Sequence, residues 1–145
     1  MRILVLNGPN LDLLGVREPG LYGRDTLETI TTRLDALAGE LGVGLDHYQS
    51  NHEGALIDRV HKAWRDVLVG VVVNPGGYTH TSVALRDAFL ATGLPFVEVH
   101  LSNVYAREAF RRESRFADVA AGVVTGLGAV GYELALRGLV SRLGA

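Results

Sequence analysis

The chain has 145 residues, 48% of them hydrophobic and 21% charged, with a formal net charge of −2 and no cysteine. One ordinary domain is expected over residues 1–145, since a chain of this size buries enough surface to fold alone; disordered, fibrous and disulfide-stapled classes are excluded, as are thiolate catalysis and thiolate metal sites. A near-neutral charge leaves no electrostatic footprint for nucleic acid, no apolar run reaches the ~20 residues of a membrane span, and the missing thiols suit a reducing, cytoplasmic setting.

Residues 3–6 form a short apolar run stopped by Asn7-Gly8-Pro9, which predicts a buried first strand. Leu27, Ile30, Leu34, Leu37 and Leu41 recur at spacings of three and four, the mark of an amphipathic helix, with Asp25 and Glu28 as its capping pair. Gly42 and Gly44 end it, and residues 43–48 read as a second strand. A helix from Glu53 is expected to bury Leu56, Ile57, Val60 and Trp64, leaving Lys62, the only lysine, on the exposed side. Residues 67–73 are apolar on both faces, as a strand covered by helices on both sides must be. Beyond Asn74-Pro75-Gly76-Gly77, the pattern predicts a helix over 81–91, a strand over 95–99, a helical turn over 106–112, a short strand over 119–124 and a last helix from Gly128.

Strands alternating with helices imply parallel pairing through right-handed crossovers, hence an α/β fold: a three-layer, doubly wound parallel sheet of about five strands. Strand order is not readable at this level. In the flavodoxin-like order, ligands would bind beyond the carboxyl ends of the first and third strands, where the loops from Asn7 and Asn74 begin and His100 lies nearby.

Residues 7–24 make a βα connection far longer than usual. Such a loop is either a lid, carrying Asn10, Arg17, Tyr22 and Arg24 with Pro19, Gly20 and Gly23 as hinges, or a surface excursion in which Arg17 is simply solvated. Residues 74–82 set glycines and hydroxyls at the end of a buried strand, which suits a carboxylate or polyol; equally, Thr79 or Thr81 caps the following helix. The five histidines lack the spacings of a metal site. Asn74 stands where a signalling receiver domain needs an acidic phosphoacceptor, and residues 7–15 lack the hydroxyl and glycine density of a flavin phosphate loop.

The run Asn7-Gly8-Pro9-Asn10-Leu11-Asp12-Leu13-Leu14-Gly15 resembles the signature of the type II dehydroquinases, the type II 3-dehydroquinate dehydratases. Further blocks are similar in order and spacing: Arg17-Glu18-Pro19 with Tyr22-Gly23, Gln49-Ser50-Asn51-His52-Glu53-Gly54, residues 78–88, residues 98–103, and Gly126-Leu127-Gly128 with Gly131-Tyr132-Glu133-Leu134. Together they cover essentially the whole chain. The resemblance implies a cofactor-free hydro-lyase that removes water from 3-dehydroquinate to give 3-dehydroshikimate through an enolate, in the shikimate pathway or in quinate breakdown. It implies Tyr22 as base, Arg17 beside it, His100 as proton donor and Asn10 as the residue steadying the enolate stage through a water. For substrate binding it implies Asn74, His80, Leu101, Ser102 and Arg111, with Asp87 reaching in from a neighbouring subunit of a trimer, four trimers forming a dodecamer. The chain departs from the family pattern at Asp12, at the Gly76-Gly77 pair, where alanine is more usual, and around Glu113.

The chemistry agrees with those residue types. Dehydrating a β-hydroxy ketone needs a base for the α-proton, stabilisation of the enolate and an acid for the departing hydroxyl. A tyrosine titrates near 10, so a Tyr22 base requires a close cation, for which Arg17 and then Arg24 are the candidates. Lys62, on an exposed helix face, makes a Schiff-base route untenable.

Overall fold

The computed structural model describes residues 1–16, 18, 20 and 24–144. Five strands, β1 (Arg2–Asn7), β2 (Gly44–Gln49), β3 (Gly70–Asn74), β4 (Phe96–His100) and β5 (Gly122–Thr125), alternate with helices α1 (Leu27–Leu41), α2 (Glu53–Arg65), α3 (Val83–Thr92) and α4 (Val130–Arg142). All pairings are parallel and the order is β2-β1-β3-β4-β5, so the fold is flavodoxin-like. Alternation along the strands divides the core. Ile3, Val5, Val72, Val97 and Val99 face α1 and α4, while Leu4, Leu6, Val71, Val73 and Phe96 face α2 and α3. Phe89 stacks on Phe96 with centroids 4.2 Å apart, and Phe116 meets both edge-on. No helix among the described residues is long and apolar enough to cross a membrane.

Several boundaries differ from the sequence expectation for physical reasons. Thr26, not Asp25, caps α1, its Oγ1 accepting from Thr29 N at 3.1 Å; Asp25 instead pairs with Arg33 at 3.4 Å. Ser82, not Thr79 or Thr81, caps α3, accepting from Leu85 N at 3.0 Å. Trp64 is 55% exposed: the buried stripe of α2 runs Leu56, Val60, Ala63, and one further residue turns a side chain about 100° away from it. Apolar composition ran β3 back to Val67, yet Val67 has a φ of 62°, which ends the α2 turn, and pairing starts only at Gly70. Residues 119–121 are held in a turn by Val119 N to Phe116 O and Ala121 N to Phe96 O, so β5 begins at Gly122. The expected turn over 106–112 resolves into two 3-10 turns, Val104–Ala106 and Ala109–Arg111. Gly128 has a φ of 67°, incompatible with a helix start, and α4 opens at Val130.

Candidate active site

Register aligns Asn7 with Asn74 at the carboxyl ends of β1 and β3, and His100 ends β4. The loops leaving these ends enclose a cavity of about 150 Å³, lined by Asn10, Asn74, His80, His100, Leu101, Ser102 and Arg111 among the expected site residues. Asp87 lies on the exposed face of α3, away from that lining. Arg17 and Tyr22 fall outside the described residues.

The β1 and β3 loops touch at backbone distance. A Cβ on Gly8 would lie 2.3 Å from Pro75 O, and Gly8 N donates to Asn74 O at 2.8 Å. Gly76 has a φ of 60°, and a Cβ there would lie 3.0 Å from Pro9 O. Glycine at 76 thus matches a left-handed conformation and a close approach. Gly77 has open space around it and no such φ, so Gly77→Ala is expected to raise stability by about 0.5 kcal/mol through the unfolded chain. Urea unfolding checks this; a lowered midpoint would show that the turn needs glycine at both positions.

Asn10 adopts a left-handed conformation with a φ of 68°, its N–H donating to Asn51 Oδ1 at 3.0 Å. Gln49 Nε2 reaches Gly8 O and Asn51 Oδ1, both at 3.1 Å, and the Tyr78 hydroxyl donates to Asn51 O at 2.9 Å. Asn51, in the loop after β2, therefore ties the β1 loop to the β3 loop. Beneath the cavity, the wholly buried Tyr132 of α4 donates its hydroxyl to Asn7 Oδ1 at 2.6 Å and accepts from Asn74 Nδ2 at 3.0 Å. Burial pushes this phenol well above the usual tyrosine range, outweighing the Asn74 hydrogen bond. Asn74 Oδ1 accepts from Gly76 N at 3.1 Å, leaving one amide N–H for a ligand.

The two cavity histidines are held by different partners. His80 Nδ1 lies 2.7 Å from Glu113 O; a carbonyl only accepts, so Nδ1 carries the hydrogen. Desolvation first, then the charges of His100 and Arg111, hold His80 below the usual histidine range against the backbone acceptor and Glu98, which act the other way. Near neutral pH it is an uncharged ring presenting Nε2 as an acceptor. His100, 6% exposed, has Nε2 2.5 Å from Glu98 Oε2, and Glu98 is 1% exposed. Arg111 pairs with Glu108, holding that carboxyl below the usual range, and its guanidinium lies 5.1 Å from the Phe110 ring centroid.

Sequence reasoning named Glu98 only as the start of a block and did not assign it to the site. The available signal was a carboxylate two residues before His100, hence on the same face of a strand otherwise apolar. It also passed over Arg107, which lines the cavity, and Tyr132, whose role depends on a partner 125 residues away. An oriented imidazole, a neutral imidazole acceptor, arginine charge and small polar groups in one cavity suit proton transfer to a polyhydroxylated anion.

Comparison with known proteins agrees with that chemistry. A family model described as Dehydroquinase class II matches residues 1–140. The chain is 63% identical to a 3-dehydroquinate dehydratase of Methylococcus capsulatus, over 93% of this chain and 91% of that one. It is 57% identical to a catabolic 3-dehydroquinase of Pyricularia oryzae, over 99% and 92% of the two chains. The crystal structure of the type II dehydroquinase from Butyrivibrio crossotus superposes with a TM-score of 0.94 at 41% identity, covering 97% of each chain. Fold, cavity and near full-length identity converge, and the chain belongs to the class II dehydroquinase family of hydro-lyases.

Proposed function

We propose that the cavity binds 3-dehydroquinate and eliminates water from it stepwise, giving 3-dehydroshikimate. Tyr22, as phenolate, takes the α-proton; the electron pair passes into the carbonyl as an enolate; its return expels the β-hydroxyl, which leaves as water with a proton from His100. The observation that carries this reading is His100 at the cavity wall, its Nε2 committed to Glu98, so that Nδ1 is the nitrogen free to serve the leaving group. Asn10 steadies the enolate stage through a water. Asn74, His80, Leu101, Ser102 and Arg111 hold the carboxylate and hydroxyls of the substrate, and Asp87, exposed on α3, serves the site of a neighbouring subunit in a trimer, four trimers making a dodecamer. No cofactor is needed. The same reaction serves a biosynthetic step in the shikimate pathway and a catabolic one in quinate breakdown, and one relative is named a catabolic 3-dehydroquinase.

The direct test mixes the protein with 3-dehydroquinate and follows the ultraviolet absorbance of the conjugated product, with and without borohydride. A rise indifferent to borohydride is expected; a flat trace from folded protein would overturn the function, and trapping of an adduct would overturn the mechanism. Arg17→Ala is expected to lower kcat by roughly tenfold or more at little change in KM, because its charge is what makes the Tyr22 phenolate accessible. A raised KM at unchanged kcat would instead assign Arg17 to substrate binding alone.

A further inference from the structure

The short segment after the Ala109–Arg111 turn touches His80 and the carboxylate partner of His100, although its residues 113 and 114 are not part of the cavity lining. Glu113 O accepts from His80 Nδ1, and Ser114 Oγ lies 2.8 Å from Glu98 Oε1. That same Ser114 Oγ accepts the backbone N–H of Phe116 at 3.0 Å and of Ala117 at 3.1 Å. Two amide donors fill the lone pairs of the hydroxyl, so its single proton has one destination, Glu98 Oε1. His100 Nε2 takes the other oxygen. The direction of the chain is thereby set: Ser114 donates to Glu98, Glu98 accepts from His100 Nε2–H, and His100 Nδ1 is left over for a ligand. The segment is firmly seated, with Phe116 fully buried edge-on to the stacked Phe89 and Phe96 and Arg115 N donating to Thr79 O at 2.8 Å.

Building on the reading of His100 as proton donor, we propose that Ser114 is a positioning residue for that donor, fixing Glu98 as a double acceptor and through it the ring orientation and the protonated form of His100. Among the described residues, the charged and titratable groups around the ring are Glu98 on its own strand, His80 from the turn after β3, and Arg107 and Arg111 from the turns after β4, with the uncharged Asn10 from the β1 loop. Arginine charge opposes a protonated His100, and Glu98 is its hydrogen-bonded anion. Without the Ser114 hydroxyl, a buried Glu98 oxygen loses its donor, the carboxyl takes up a proton more readily, and its hold on a protonated ring weakens.

The test follows the His100 ring titration by NMR without substrate, beside the pH profile of kcat, in wild type, Ser114→Ala and Ser114→Thr. In Ser114→Ala the ring midpoint is expected to fall by about half a pH unit or more. The alkaline limb of kcat should move the same way, with kcat lowered about tenfold and KM within about twofold. Ser114→Thr, which keeps the hydroxyl, should match wild type. An unmoved midpoint and limb in folded Ser114→Ala overturn the proposal, as does a threonine variant behaving like alanine. Should Ser114→Ala not fold, Ser114→Cys, with its weaker donor, is read in its place against the same expectation. The ring titration needs no turnover, so an inactive wild type would sink the functional reading while the midpoint still decides the role of Ser114.

Discussion

Tyr22→Phe and His100→Ala are each expected to lower kcat by roughly a thousandfold while KM moves only a few-fold, the signature of groups that act on protons in flight rather than on bound substrate. For His100 the argument is geometric. Its ring ends β4 and is 6% exposed, with one nitrogen held by Glu98, so no other imidazole can take its place without a backbone shift. His80 is fixed through Nδ1 to Glu113 O as an uncharged acceptor, the wrong form for an acid. Truncating His100 also deprives buried Glu98 of a donor, for which a stability loss of about 1–3 kcal/mol is expected. Circular dichroism and unfolding curves separate that cost from the kinetic one. A folded His100→Ala protein within tenfold of wild-type kcat would assign the acid to another group.

The largest effect on stability is expected from Gly8→Ala. Its added methyl would sit 2.3 Å from Pro75 O, and the obstacle is backbone, which cannot rotate aside as a side chain does. Relief requires the β1 loop to lift off the β3 loop, breaking the Gly8 N to Asn74 O bond of 2.8 Å and disturbing the contacts that Asn51 makes with both. A loss of about 3 kcal/mol, with kcat/KM falling alongside, is the expected result. Gly77→Ala is the matched control, with the same chemical change in open space one loop turn away. Equal unfolding midpoints for the two variants would show that the close approach of the loops is not structurally demanding.

How much was legible in the sequence depended on the range of the physics. Strands β1, β3 and β4 and helices α1 and α4 announce themselves because burial imposes periodicity on neighbouring residues, and alternating element types then fix the layered α/β class. Three of the loops around the cavity follow from strand ends alone. Strand order did not, since pairing is a property of residues far apart. Trp64 misled because size and apolarity suggested burial, whereas orientation is set by the helix phase shared by Leu56, Val60 and Ala63. Cap positions slipped by one residue because Thr26 and Asp25, or Ser82 and Thr81, are chemically close and only backbone angles choose between them. Within the site, His100 stood out as a polar residue at a strand end, but Glu98 read as one more acid in a strand until its partner at 2.5 Å was visible. The resemblance supplied roles for Tyr22 and Arg17 that no periodicity could, and these rest on the kinetic tests above.

Tyr132 carries a consequence for how the protein is made. The floor of the cavity is completed by a bond from its hydroxyl to Asn7, 125 residues earlier in the chain, and residues near the amino terminus emerge from the ribosome first. A nascent chain that has already paired β1 with β3 still holds Asn7 and Asn74 without their shared phenol until α4 is synthesised and docks. The floor of the cavity is thus completed only after every strand of the sheet has been made, and a polypeptide stalled before α4 would have the sheet yet an unfinished floor.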